Sequence, residues 1–144
     1  LALEIPVAPV PTLDALAATL PFADAAVCPL LAARRGEVYC SLYRWTGRAM
    51  ERQWDYLALP SEAAAARLEA PVIVLGDGVA ACRPFLARLG PGLREADPVH
   101  SLPSPAAVGA LGHAILATGG GIPAERLTPL YLRPSEAELR ARHA

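Results

Sequence analysis

The stretch Ala32-Ala33-Arg34-Arg35-Gly36-Glu37-Val38-Tyr39 decides the fold, because it joins two strand-like segments through a turn. The nearly unbroken apolar run Ala25 to Ala33 has the length of a strand covered on both faces. Gly36 can take the positive φ that a tight turn requires. Residues 37–45 then alternate, so two sets of side chains point to opposite faces: Val38, Cys40 and Leu42 on one, and Tyr39, Ser41, Tyr43 and Trp45 on the other. We therefore predict a β-hairpin.

Beyond the hairpin, the pattern predicts a third strand and then alternating helices and a strand. Thr46-Gly47-Arg48 marks a second turn, and Met50, Trp54 and Tyr56 share one face of the third strand. The three strands form an antiparallel meander. The elements that follow are a helix from Ser61 to about Leu68, a buried strand from Pro71 to Leu75, and a helix whose apolar positions are Cys82, Phe85, Leu86 and Leu89.

Further elements flank this core. An extended connector, Ile5 to Val10, leads to a helix from Leu13 to about Leu20 with Thr12 as its N-cap. Ser104 and Pro105 are a cap and first residue typical of a helix start. The predicted inner face of that helix is Val108, Leu111, Gly112 and Ile115, and the helix is predicted to end at Gly119-Gly120-Gly121. An extended segment, Leu127 to Leu132, and a short helix, Glu136 to Arg142, follow it.

Composition excludes several classes of function. The net charge is −1, and all 13 basic residues are arginine. Without lysine there is no Schiff base and no phosphate-loop lysine, and near-neutral charge disfavours independent nucleic-acid binding. Cys28, Cys40 and Cys82 lack metal spacing and are predicted to be reduced, buried thiols. With no apolar run of membrane-spanning length, about 20 residues, a cytoplasmic location is expected.

Two turns are candidate sites. Arg34, Arg35, Gly36 and Glu37 form a hairpin tip that either contacts a partner or another lobe, or is only a solvated turn. Gly76-Asp77-Gly78 joins a strand to a helix, where free backbone N–H groups can hold a phosphate, although a tight connection alone also favours glycine. We predict no catalytic residue and no metal site, because His100, His113 and His143 have no ligand spacing.

The order of a meander followed by helix, strand and helix predicts an α/β fold, namely one lobe of an actin-like ATPase, or ribonuclease-H-like, architecture. The chain starts with leucine, and Leu1-Ala2-Leu3-Glu4 reads like the last turn of a helix. We therefore expect residues 1–144 to be a single domain and a fragment of a longer protein; a family resemblance implies that the fragment is the carboxy-terminal lobe of a two-lobed protein whose amino-terminal lobe lies outside this sequence.

The same segments resemble the carboxy-terminal lobe of the TsaB family, also called YeaZ. That family typically carries Asp-Ala-Arg-Arg-Gly-Glu-Val-Tyr, a Gly-Asp-Gly turn and a terminal Pro-x-Tyr-Leu-Arg segment. The similar segments here are Ala32 to Tyr39, Gly76 to Gly78, and Pro129 to Glu138. The family's Ile-Pro-x-x-x-Val-x-x-Leu-x-Ala-Leu segment is similar to Ile5 through Leu16. One difference is Ala32, which stands where the family has an acid.

The resemblance implies a non-catalytic scaffold subunit in the synthesis of N6-threonylcarbamoyladenosine in tRNA. Its expected partners are a TsaD-like catalytic subunit and a TsaE-like ATPase, reached through the full-length protein, with any tRNA contact indirect and a homodimer left open. This lobe alone is expected to bind no cofactor, with ATP or ADP confined to the full complex. Two alternatives remain open, a glycoprotease-type metallopeptidase and a stand-alone nucleotide-binding module.

Overall fold

The computed structural model describes residues 5–132, which form a mixed α/β fold built on one sheet. Its strands are β1 (Ala26–Ala32), β2 (Glu37–Cys40), β3 (Tyr43–Trp45), β4 (Met50–Arg52), β5 (Leu57–Pro60), β6 (Val72–Leu75) and β7 (Leu93–Glu95). The α-helices are α1 (Thr12–Ala17), α2 (Ser61–Ala66), α3 (Val79–Leu86) and α4 (Pro105–Ala117), with 3-10 segments at Ala87–Gly92, Pro98–Ser101 and Ala124–Arg126.

The hairpin predicted around Gly36 is confirmed, and β1 lies at the centre of the sheet. β2 and β3 pair with β1 in one continuous antiparallel register, with Leu30 opposite Cys40 and Val27 opposite Tyr43. They are the two parts of the predicted second strand. The predicted buried strand is β6, which pairs with β1 in parallel, and β7 lies parallel beyond it. β7 was not predicted, because three residues are too short to display an alternating pattern.

The third strand differs from the prediction. It is divided into β4 and β5, which pair with β3 and β2 respectively. Four residues, 53–56, lie between these strands, whereas only two, 41–42, lie between β2 and β3. The extra length forms a bulge, fixed where the Ser41 hydroxyl donates to the Trp54 carbonyl over 2.8 Å. The expectation that Trp54 shares a face with Met50 and Tyr56 is therefore wrong: Trp54 packs against the opposite core.

The sheet separates two apolar cores. One lies under α2 and α3 and contains Leu30 of β1, Val38 of β2 and Leu86 of α3. The other lies under α1 and contains Leu16, Val27, Tyr43 and Leu75. The alternation predicted for residues 37–45 is confirmed, since Val38, Cys40 and Leu42 join the first core, and Tyr39 and Tyr43 join the second.

Several helix details were predicted wrongly. Thr12 is the first residue of α1 rather than its cap, and α1 ends at Ala17. Ser104 occupies the N-cap position of α4, but its side chain makes no capping hydrogen bond. Phe85 on α3 is 39% exposed, because the buried face of the helix consists of Val79, Cys82 and Leu86, and Phe85 lies at its edge. Leu89 is buried as predicted, within the 3-10 segment.

The chain after α4 follows the prediction in outline. The Gly119 to Gly121 stop is confirmed, with Gly119 at φ +77° and the Gly120 N–H bonded to the Ile115 carbonyl. Residues 127–132 contain no strand. The predicted helices at Leu1 to Glu4 and Glu136 to Arg142, and the motif residues from Arg133 to Glu138, lie outside the described residues. Within residues 5–132, no helix is long and apolar enough to cross a membrane.

Candidate functional site

The carboxyl ends of β1 and β6 bring the two predicted turns to one edge of the sheet. The strands are parallel, with Pro29 opposite Leu75, so the chain leaves both at the same end. Asp77 links them, because its Oδ1 atom accepts a hydrogen bond from the Ala32 N–H over 2.8 Å. The hairpin tip that begins at Arg34 therefore lies beside the Gly-Asp-Gly turn. Sequence reasoning treated these motifs separately, and the structure brings them together.

The hairpin tip holds an arginine in a strained backbone conformation. The Ala33 N–H donates to the Glu37 carbonyl over 2.9 Å, which closes the turn. Arg35 has φ +53° and Gly36 has φ +77°, the positive pair that a type I′ turn requires. A left-handed conformation costs a residue with a side chain about 1–2 kcal/mol. Strain of this kind persists where the surroundings impose it, and it clusters at functional sites.

The surroundings of the tip do impose that conformation. The Gly36 carbonyl accepts two hydrogen bonds from Ser61, one from its N–H over 2.9 Å and one from its hydroxyl over 2.7 Å. Ser61 is only 4% exposed, at the start of α2. The side chains of Arg34 and Arg35 are exposed on this fixed turn. Because the backbone of the turn is already fixed, little backbone entropy is lost when its arginine side chains bind a carboxylate or a phosphate.

Substituting Arg35→Asn should raise the free energy of unfolding by about 0.5–1 kcal/mol, because asparagine tolerates positive φ better than arginine. Chemical denaturation in urea measures this change. Arg48→Asn, in the turn between β3 and β4, is the matched control, since Arg48 has no positive φ. A stability gain at position 48 but not at 35 would contradict the strained-tip interpretation.

The glycines of the second turn are required by close packing. A Cβ atom on Gly76 would lie 2.3 Å from the Leu30 carbonyl oxygen, and one on Gly78 would lie 2.9 Å from it. The Gly78 N–H donates to the Leu30 carbonyl over 2.9 Å, and the Gly76 N–H donates to the Ser101 hydroxyl over 3.3 Å. Two of the three backbone amides therefore donate within the protein. Phosphate contact at Gly76, Asp77 and Gly78 stays a prediction, and turn geometry explains both glycines.

The hydrogen bond from the Ala32 N–H to Asp77 changes the interpretation of position 32. The side chain of Ala32 is only a methyl group, where the TsaB family typically has an acidic residue. Its backbone N–H is nevertheless hydrogen-bonded to the carboxylate of Asp77. A carboxylate from a different turn therefore lies at this end of β1. Asp77 itself is exposed, so its charge is accessible at the same edge as the two arginines.

A polar cluster that sequence reasoning missed fixes α1 to the sheet. The Tyr43 hydroxyl donates to Asp14 Oδ1 over 2.6 Å, and the Tyr56 hydroxyl lies 2.8 Å from Asp14 Oδ2. Tyr43 is 1% exposed. The Arg52 guanidinium lies over the Tyr56 ring, 4.1 Å from its centre. The two tyrosines lie 29 and 42 positions from Asp14 in the sequence, so no local motif indicates the cluster.

The cluster predicts a loss of stability in alkaline solution. Burial, followed by the hydrogen bond to Asp14 and its negative charge, raises the pKa of Tyr56 from 10.0 to about 12, and the same causes raise the pKa of Tyr43. Because the folded state holds the neutral phenol of Tyr56, its contribution to stability is complete below pH 10 and is lost between pH 10 and about 12. Urea unfolding over that range should show a larger loss for the wild type than for Tyr56→Phe. Equal losses would contradict this assignment.

An apolar cleft of about 690 Å³ adjoins the cluster at Tyr56. Its walls are residues 8–13 of the connector and α1, Leu31 and Tyr39 of the sheet, and residues of the segment 127–132. The lining is predominantly aliphatic and aromatic, with the phenol groups and two threonines as its polar members. Such a lining suits apolar side chains better than a charged ligand.

The described residues provide no activated nucleophile of the thiol type. Cys28, Cys40 and Cys82 are free and buried, as predicted. Burial raises the pKa of all three, that of Cys40 to about 11, so the thiolate is disfavoured at neutral pH. Within residues 5–132, no three histidine, cysteine or acidic side chains are grouped so that they could share a metal ion.

Comparison with known proteins shows which solved structures this chain resembles. The sequence matches no protein-family model and no curated protein. Solved structures do match, among them two from Pseudomonas aeruginosa. One is an uncharacterised protein described as similar to the peptidase YEAZ, with a TM-score of 0.64 and 26% identity over 86% of this chain. The other is YeaZ, with a TM-score of 0.65 and 25% identity over 85% of this chain. This chain spans 57% of the length of each. Together with the motifs at both turns, this similarity identifies the chain as a TsaB/YeaZ-like protein.

Proposed function

We propose that this chain belongs to a non-catalytic subunit that supports the synthesis of N6-threonylcarbamoyladenosine in tRNA. The observation that carries the proposal is the similarity to YeaZ over 85% of the chain. In this proposal a TsaD-like subunit performs the transfer, and a TsaE-like ATPase handles ATP and ADP. Because the chain spans 57% of the YeaZ structure, these partners are proposed for the full-length protein.

The hairpin tip supports a scaffold role. Arg34 and Arg35 are exposed on a turn that two hydrogen bonds from Ser61 hold in place. A strained residue at an exposed tip costs stability, so its presence favours a recognition role over a structural one. Arginine forms bidentate bonds with carboxylates and phosphates. With a net charge of −1 the chain lacks the broad basic field of an independent RNA binder, so a carboxylate on a protein partner is the ligand we propose.

Binding of the full-length protein to the TsaD-like subunit tests this role. We expect the double substitution Arg34→Ala with Arg35→Ala to weaken binding about tenfold or more, which corresponds to about 1.4 kcal/mol. Isothermal titration calorimetry measures the affinity. The control is Arg44→Ala with Arg48→Ala, two exposed arginines at the opposite end of the meander. Unchanged affinity in a folded double variant would show that the hairpin tip is not part of the interface.

A metallopeptidase is the second candidate, favoured by the word peptidase in the description of one matched structure. Such an enzyme requires an activated water or a nucleophile. The grouping of ligands that it needs is not found within residues 5–132, and the three thiols are buried. Incubation of the full-length protein with an unfolded protein substrate, with and without added zinc, decides between the two. Zinc-dependent cleavage that a chelator abolishes would favour the peptidase.

A further inference from the structure

The loop between α1 and β1 exposes an aromatic side chain on a strained backbone. Phe22 is 77% exposed and has φ +65°. A bulky residue rarely adopts this left-handed conformation, which glycine or asparagine adopts at lower cost. Burial does not account for the phenylalanine either, since most of its side chain is in contact with water. Strain that packing does not require is characteristic of functional positions, so Phe22 is a candidate for binding.

Phe22 belongs to a row of planar and polarisable side chains on the α1 side of the sheet. The centre of its ring lies 5.0 Å from that of the partly buried Trp45, with the two planes at 60°. Trp45 pairs with Met50 across β3 and β4, and Arg52 lies on the same face two residues after Met50. The Arg52 guanidinium lies 4.1 Å from the centre of the Tyr56 ring, which orients its planar group. We call Phe22, Trp45, Met50 and Arg52 the aromatic row.

The aromatic row is accessible and lies in a locally basic part of the chain. Among the described strands, β4 is the outermost at this end of the sheet, so a ligand can approach the row along its outer edge. Residues 43–52 contain three arginines and one glutamate, which gives this hairpin a net charge of +2 in a chain of net charge −1. The glutamate, Glu51, is directly opposite Arg44 on the other face of the hairpin. The charge beside the aromatic row is therefore positive, and an anionic ligand fits it.

We propose that the aromatic row binds an unpaired segment of nucleic acid, with bases stacked on Phe22 and Trp45 and a phosphate bound by Arg52. An aromatic ring stacks on the π face of any base, and a guanidinium pairs with phosphate in a planar, bidentate geometry. A ligand that is both anionic and planar therefore matches both parts of the row. An acidic peptide would use only the charge, and a lipid surface requires more exposed apolar side chains than one phenylalanine.

The proposal is compatible with the near-neutral charge of the whole chain, because the site is local. Two carboxylates near the row already have partners, since Asp14 accepts hydrogen bonds from two tyrosines and Asp24 forms an ion pair with Arg94. With few phosphate contacts, binding should release few counterions, unlike binding to a broad basic surface. The inference does not depend on the proposed role in tRNA modification, and the row is separate from the hairpin tip proposed to contact a protein partner.

Fluorescence anisotropy of labelled oligouridylate and oligothymidylate with the full-length protein tests the site. We expect both single strands to bind, because neither stacking nor ion pairing reads the sugar. Phe22→Asn and Arg52→Gln should each weaken binding about tenfold. Arg52→Gln should also reduce the slope of log affinity against log salt by about 0.7, the value for one phosphate contact on a single strand. The matched controls, Phe85→Asn and Arg67→Gln, should leave the affinity unchanged.

The controls have the same chemistry on the other side of the sheet. Phe85 on α3 is 39% exposed, and the Arg67 guanidinium lies 5.0 Å from the centre of the Trp54 ring. Trp54 packs against the core under α2 and α3. Phe22→Asn should leave the free energy of unfolding unchanged or raise it, since asparagine relieves the strain. A loss of binding without a loss of stability separates a binding role from a structural one.

Stacking also has a spectroscopic signature. A base that stacks on Trp45 should quench its fluorescence. The quenching should persist in Trp54→Phe, which removes the tryptophan on the other side of the sheet, and disappear in Trp45→Phe.

Five results would overturn the proposal. The first is no binding of either single strand at concentrations up to about 1 mM at low salt. The second is equal affinity for oligouridylate and its duplex with oligoadenylate, which would show that phosphate charge alone is bound. The third is equal weakening by the matched controls. The fourth is quenching of Trp45 by vesicles of anionic phospholipid but not by the oligonucleotides, which would identify a membrane surface as the ligand. The fifth is a smaller oligomer for Phe22→Asn than for the wild type on gel filtration, which would identify a second copy of the chain as the occupant.

Discussion

Replacing Gly76 by alanine is expected to lower the free energy of unfolding by about 3 kcal/mol or more. Gly76 has φ +99°, which side-chain-bearing residues rarely adopt. The added methyl carbon would also lie 2.3 Å from the carbonyl oxygen of Leu30. Leu30 is fully buried in β1, which pairs with strands on both sides, so its backbone cannot move aside without disturbing the sheet.

Gly119→Ala separates the two causes of this loss. Gly119 also has positive φ, +77°, but nothing lies within 4 Å of an added Cβ atom there. The control should therefore lose only about 1–2 kcal/mol, the cost of the left-handed conformation. Urea unfolding of both variants measures the difference. Equal losses would show that the contact between Gly76 and β1 is not as tight as described.

Replacing Asp14 by alanine should have the second-largest effect, a loss of about 2–3 kcal/mol. The carboxylate accepts hydrogen bonds from the hydroxyls of Tyr43 and Tyr56, and it fixes α1 to the sheet. Removing it leaves the Tyr43 hydroxyl, in a residue 1% exposed, without this acceptor. A buried donor that loses its acceptor costs more than the hydrogen bond itself contributes.

Three variants test the origin of this loss by thermal unfolding. Asp14→Asn should lose less than Asp14→Ala, because an amide oxygen still accepts a hydrogen bond. Asp55→Ala, an exposed carboxylate, should change stability by no more than about 0.5 kcal/mol. Adding Tyr43→Phe to Asp14→Ala should cost less than the sum of the two single substitutions, because the phenol no longer needs an acceptor. Additive losses would contradict the described contact.

The sequence predicted the features that depend on local chemistry. The apolar run of β1, the alternation after Gly36 and the glycine stop after α4 each follow from residue order alone. The bulge between β4 and β5 could not be predicted, because it depends on a hydrogen bond from Ser41 to a carbonyl thirteen residues away. Trp54 therefore lies on the face of the sheet opposite to the predicted one. Short elements such as β7 also lack a readable pattern.

The candidate site was predicted in its parts but not in its arrangement. Arg34 to Glu37 and Gly76 to Gly78 were both identified from their turn chemistry. Their proximity depends on Asp77 bonding the Ala32 N–H, a contact across 45 residues. The positive φ of Arg35 was equally unpredictable, because arginine has no preference for it. The Asp14 cluster joins three elements that are distant in sequence, so only the fold reveals it.

Reconstitution of the tRNA modification tests the central claim most directly. The full-length protein and its two proposed partners, a TsaD-like subunit and a TsaE-like ATPase, are combined with unmodified tRNA, ATP and the threonylcarbamoyl donor, and the modified nucleoside is quantified by mass spectrometry. We predict that product forms with all three proteins and falls to the background level when the full-length protein is omitted. Product formation at the same rate without it would contradict the account.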